Sequence, residues 1–146
     1  MQQLLDSAQE IYGNEPEFFY LKGMLALLNK DFALPLFEKA YDGLQNDKDF
    51  LLAYAQLLKD YKHYYSCLMV LGKVLNFDRE NITVLNEIAA LFDIMGNPVS
   101  AINVLKLIQK LNPNLDCYTC QHMGKLLVGI GSLEEAFEYY KPKNRS

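Results

Sequence analysis

The sequence predicts an all-α chain built as an array of antiparallel helix pairs, and three observations carry that prediction. No long alternating run bounded by turns is present, while apolar residues recur at three- and four-residue spacing almost throughout, which is the helical period. Three columns of residues repeat in step: Ala33, Cys67 and Ala101 stand 34 apart with Ala136 35 further on, Phe37, Leu71 and Leu105 keep the same step with Tyr140 again 35 on, and so do Ala40, Val74 and Ile108. The breaks between apolar stripes carry helix-start chemistry. A period of this length marks a repeat architecture, in which one unit cannot bury its apolar face alone and stacked neighbours share a continuous core.

Taken in order, the elements number about nine short helices. Residues 2–12 read as the second helix of a repeat whose first helix is missing. Phe19 and Gly23 belong to the next helix, and Ala33, Phe37 and Ala40 to its partner, across a turn two residues shorter than in the later units. Asp31 is expected to cap that partner, so that Pro35 falls in or just past the first turn, where few backbone donors are yet needed. Leu51, Tyr54, Ala55 and Leu58 form one stripe, and Leu68, Leu71 and Leu75 another. Asn81 and Asp116 sit where N-caps are wanted, Asn97 precedes Pro98 as an N-cap precedes a first-turn proline, and Ser132 with Glu135 is a capping box. Turns between pairs are expected near Asn46, Asp78 and Asn114.

In the third unit Ile88 and Ala89 are followed by Phe92, Gly96, Ala101, Leu105 and Pro113; in the fourth, Met123 and Gly124 by Leu127, Gly131, Ala136 and Tyr140. The first has Phe19, Gly23, Ala33, Phe37 and Ala40. The second has Ala55 where glycine is usual and Arg79 where proline is. This pattern resembles the tetratricopeptide repeat family, whose 34-residue unit reads W-x2-L-G-x2-Y, then A-x3-F-x2-A, then P. The resemblance covers nearly the whole chain as one domain, 1–146, with a half repeat at 1–14 and repeats at 15–47, 48–81, 82–115 and 116–146. It implies an α-solenoid, a right-handed superhelix of helix pairs with a concave surface. Small residues on both helices would let each pair approach closely.

Composition sets the remaining bounds. The chain has 146 residues, 51% of them hydrophobic, enough for a continuous core. With 18 acidic against 14 basic residues the net charge is -4 and no clustered basic surface is evident, so nucleic acid is not an expected partner. The start lacks a basic and an apolar signal region, and no stretch approaches the ~20 apolar residues that span a bilayer, so no membrane partner is expected. Three cysteines make an odd count and no disulfide framework, which suits a reducing, cytoplasmic setting.

Catalytic chemistry finds little support. Cys117 and Cys120 with His122 offer three ligands where structural zinc wants four, and their spacing on one helix points them in different directions. In the repeat register Cys120 and Cys67 take packing slots, a role that suits cysteine as a small hydrophobe. Gly129 and Gly131 lack the rest of a phosphate loop, so Gly131 reads as a turn glycine. His63 and His122 are the chain's only histidines. No enzyme activity, no metal and no cofactor are expected. Among the tyrosines clustered at one turn, Tyr64 is expected to pack, while Tyr61 and Tyr65 suit either a packed or a contact surface.

The resemblance implies that the first helices of successive repeats line the concave groove and contact a protein or peptide partner. The corresponding slots hold Tyr20, Met24 and Leu27, then Leu52, Gln56 and Lys59, then Asn86, Ala90 and Asp93, then Gln121, Lys125 and Val128. The two-carboxylate clamp by which one branch of the family grips chaperone tails is absent, its slots holding Tyr20, Met24, Leu52, Gln56, Asn86 and Ala90. The implied function is a protein-binding scaffold or adaptor. The alternative is a type III-like bacterial secretion chaperone holding a translocator client, and an enzyme or metal protein comes third. Phe137, Tyr139 and Tyr140 on the last helix form an apolar edge that is expected to meet further helices or a second copy in a homodimer through a terminal repeat.

Overall fold

The computed structural model describes residues 15–140. Within them the chain forms eight α-helices and no strand: α1 Pro16–Leu28, α2 Leu34–Tyr41, α3 Lys48–Asp60, α4 Tyr64–Phe77, α5 Ile82–Ile94, α6 Pro98–Leu111, α7 Cys117–Gly129 and α8 Leu133–Tyr140. The helix expected at 2–12, and with it the half repeat, lies outside the described residues. The helices fall into two compact units, the first ending at Phe77 and the second beginning at Asp78. Turns stand at or beside Asn46, Asp78 and Asn114, as the spacing predicts.

In the first unit, α1 opens on Pro16, whose fixed φ suits a first helical turn. It packs on α2 through a position where only glycine fits: a Cβ at Gly23 would stand 2.7 Å from Cε1 of Phe37. That close approach puts Phe37 at the centre of an aromatic core. Its ring stacks on Phe50 at 5.7 Å and on Tyr54 at 6.2 Å. Asp47 caps α3 by accepting the Phe50 N–H at 3.1 Å. α4 pairs with α3, and the buried Cys67 thiol donates to the Ala55 carbonyl at 3.2 Å, so this cysteine packs as its slot implies.

One cap differs from expectation. The N-cap of α2 is Ala33, with no side-chain cap, and Pro35 occupies its first turn. Asp31 instead gives its N–H to the Ala26 carbonyl at 2.7 Å, finishing α1. The reason is the shortened spacing between the small residues of the two helices: Gly23 and Ala33 stand ten apart, against twelve for Ala55 and Cys67, Ala89 and Ala101, and Gly124 and Ala136. α4, α6 and α8 each begin three residues before their small-residue column (Cys67, Ala101, Ala136), whereas α2 begins one residue after Ala33. α2 therefore starts four positions later against its column than the other second helices, two of them missing and two spent on a connection of five residues rather than three, and the buried Ala33 slot is kept.

The close of each first helix is the same motif four times. The N–H of Asp31 bonds to Ala26, that of His63 to Leu58, that of Asn97 to Phe92 and that of Ser132 to Leu127, at 2.7 to 2.9 Å. The preceding residue bonds back three positions in each case, which together is the Schellman arrangement. It needs a left-handed residue. Gly96 and Gly131 supply it at φ 78° and 85°, while Lys30 and Lys62 adopt φ 60° and 63°.

The second unit begins with α5, capped by the Asn81 side chain on the Val84 N–H at 3.0 Å. Asn97 caps α6 on the Ser100 N–H at 3.2 Å, and Asp116 caps α7 on the Thr119 N–H at 2.6 Å. Ser132 directly precedes α8, and the Glu135 carboxylate reaches Lys106 Nζ at 3.0 Å. α5 packs on α6, α6 on α7 and α7 on α8, with Leu91, Leu105, Ile108, Met123 and Leu127 almost wholly enclosed. Each such side chain contributes ~1.5–3 kcal/mol of burial.

Candidate protein-binding face

The residues singled out for partner contact lie on the first helices of each pair. On α1, Tyr20, Met24 and Leu27 follow at steps of four and three, so one face presents all three. Met24 and Leu27 are 46% and 42% exposed, unusually open for such side chains. Tyr20 is half-buried: its ring edge meets Phe37 at 5.6 Å and Phe50 at 5.1 Å. Burial, and after it the charges of Asp47 and Asp49, hold the Tyr20 phenol above its ordinary pKa. Tyr20 is therefore partly a core residue, and its contact with Phe50 ties α1 to α3.

On α3, Leu52 and Lys59 are half-buried and Gln56 is exposed, its amide donating to Asp60 at 2.9 Å. Asp49 stands three residues before Leu52 and continues this face to the start of the helix, as Glu17 does on α1. The first unit thus carries Tyr20, Met24 and Leu27 on the α1 face and Leu52 at the position on α3 that matches Tyr20, with Glu17 and Asp49 in the first turns of the two helices.

The face of the second unit is more polar. Asn86 is exposed and Ala90 half-buried on α5; Gln121 and Lys125 are exposed on α7, where Val128 is 47% exposed. Asp93 pairs with His122 Nε2 at 3.1 Å, joining α5 to α7. His122 was not foreseen in this role. It occupies the slot one repeat after Glu87, and its partner lies 29 residues away, a distance that no local motif reports. Gln121 donates to the Cys117 sulfur at 3.4 Å.

Other features of the chain lie elsewhere. Cys117 is exposed, Cys120 is buried and His122 is engaged by Asp93, so the three point apart; among the described residues no group of three potential ligands converges. A hollow of about 520 Å³ is lined by Gln109, Leu115, Cys120, Glu135 and Tyr139 among others, and by none of the face residues. There the Tyr139 hydroxyl donates to Gln109 at 2.6 Å, and burial followed by the Glu135 charge raises its pKa. Tyr64 begins α4 half-buried, Tyr61 meets Phe32 edge-on at 5.1 Å and Tyr65 is exposed. No helix among the described residues is long and apolar enough to cross a membrane.

No family model matches this chain, and no curated protein matches it. Solved structures do. MamA AMB-1 superposes with a TM-score of 0.77 at 16% identity over 94% of this chain and 76% of that one. MamA 41-end from Desulfovibrio magneticus RS-1 gives 0.70 at 20% identity over 94% and 78%. Pseudomonas aeruginosa pilF gives 0.65 at 19% identity over 93% and 63%. At these identities the likeness is one of fold. Together with the eight described helices and the helix-closing motif repeated four times, it makes this an all-α, α-solenoid fold of tetratricopeptide-like helical repeats.

Proposed function

We propose that this chain is a protein-interaction module, a scaffold or adaptor without catalytic activity, which holds a segment of a partner along the first-helix faces. The observation that carries this reading is the exposure of Met24 and Leu27 beside the half-open Tyr20 and Leu52. Apolar side chains that follow one another along a single helix face, as Tyr20, Met24 and Leu27 do on α1, are contact surfaces more often than singly scattered apolar residues are. The polar members, Gln56, Lys59, Asn86, Asp93, Gln121 and Lys125, select among partners. The cysteines suit a reducing, cytoplasmic setting: Cys67 and Cys120 are buried in packing slots.

Affinity capture from the native source, with identification of the bound protein, supplies the partner; calorimetry on defined variants then tests the surface. Met24→Ser with Leu27→Ser is expected to weaken that partner at least ~10-fold, because interface energy concentrates in a few apolar anchors. Leu107→Ser, on α6 and also exposed, leaves affinity unchanged. The opposite pattern would refute the assignment. A client bound only when unfolded points instead to a secretion chaperone.

A further inference from the structure

The first-helix face of the first unit is graded in chemistry along its length, and the gradient says what kind of segment fits. On α1 the face reads Glu17, Tyr20, Met24, Leu27, and on α3 it reads Asp49, Leu52, Gln56, Lys59, both at steps of three, four and three. Glu17 and Asp49 are exposed, and the apolar members follow them on the same sides. Asp49 and Lys59 are ten positions apart on one helix, about 15 Å along its axis. The N-terminal end of both faces is therefore negative and the α1 face beyond it is apolar, while at the far end of α3 Lys59 is offset by Asp60, which accepts from Gln56 at 2.9 Å. The first turn of a helix favours carboxylates in any case, so capping alone would account for two acidic residues. It does not account for their continuing the half-exposed apolar face.

We propose that this face takes a partner segment with an apolar core flanked on one side by lysine or arginine, the cation lying between Glu17 and Asp49 and the apolar residues on Met24, Leu27 and Leu52. The inference rests on the interaction reading above and adds the partner's chemistry and direction. Apolar contact supplies the affinity, and charge complementarity supplies selection and a faster encounter. An acidic segment would meet like charge at that end, the reverse of what a carboxylate-gripping clamp selects.

The probes are two synthetic peptides with the same leucine core, one flanked by lysines and the other by glutamates, titrated into the full chain at low and at physiological salt. The lysine peptide is expected to bind ~5- to 10-fold tighter at low salt, with the preference shrinking as salt screens it. Glu17→Gln with Asp49→Asn should bring the ratio near one with only a small fall in melting temperature from the lost first-turn charges, since Asp47 still caps α3 on Phe50. Met24→Ser with Leu27→Ser should weaken both peptides. Equal binding of the two peptides, with the serine variant still weakening both, overturns the cation assignment and leaves the apolar face standing. A preference that survives in the Gln/Asn variant overturns it too. Binding indifferent to the serine variant removes both the cation assignment and the face on which it rests.

Discussion

Lys30 and Lys62 hold a backbone conformation that costs an L-residue about 1–2 kcal/mol, at the turn position where Gly96 and Gly131 sit free of that cost. Glycine there relieves the strain but gives the unfolded chain more freedom, an offset of about 0.4–1 kcal/mol. The balance favours glycine. Lys30→Gly and Lys62→Gly are each expected to stabilise the protein by about 0.5 kcal/mol in urea unfolding, and a loss of stability in both would show that the lysine side chains make stabilising contacts of their own. Capping runs the other way: Asn97→Ala leaves the Ser100 N–H without its acceptor and should cost about 1 kcal/mol. The caps at Asn81, Asn97 and Asp116 were legible because a short polar residue before an apolar stripe has few other reasons to be there. The lysine turns were not, because no composition signal marks a left-handed residue other than glycine.

At the scale of helices, close approach is decided by what stands opposite the small residue. A Cβ at Gly23 meets the ring of Phe37, which is fully enclosed between Tyr20, Phe50 and Tyr54 and has nowhere to go. A Cβ at Gly124 comes within 2.8 Å of the Tyr140 ring, but that ring is 47% exposed and can swing outward. Overpacking of about 1–3 kcal/mol therefore applies to the first site, against about 1 kcal/mol of helix propensity gained at either. Gly23→Ala should destabilise by about 1 kcal/mol and Gly124→Ala should be near neutral, measured by the same urea titration. Equal effects at both would contradict the packing account. Helix existence and pairing were readable from the 34-residue step, since a buried column must recur at the period of the fold. The start of α2 was not. A two-residue deletion can be absorbed by the turn or by either helix, and only the packing of Ala33 decides that it is taken from α2.

Across the molecule, the face residues could be placed from the register, but their engagements could not. Tyr20 is half in the core because Phe37 and Phe50 arrive from two other helices, and Asp93 is tied to His122 from the next repeat; both depend on tertiary neighbours that sequence spacing does not locate. The same tertiary neighbours make a prediction about alkaline stability. Tyr20, Tyr54 and Tyr139 all have phenols raised above their ordinary pKa of 10.0, in each case chiefly by burial and then by nearby acidic groups. A raised folded pKa means that the folded chain keeps its protons longer than the unfolded one. Below about pH 10 both states are protonated and the contribution is fully present; above it the unfolded chain releases protons first, and stability falls as pH rises through the folded values. Tyr54 is the most enclosed of the three, against Phe37, Tyr41 and Phe50, with the Glu38 charge reinforcing burial. The urea midpoint should therefore hold between about pH 8 and 9.5 and drop steeply toward about pH 11, with tyrosinate absorbance appearing as the helices melt. Tyr54→Phe removes the ionisable group and keeps the ring, so it should flatten that drop while leaving the midpoint near neutral pH almost unchanged. An alkaline slope identical in the variant would mean that Tyr54 ionises as readily folded as unfolded, and that its burial does not govern the transition.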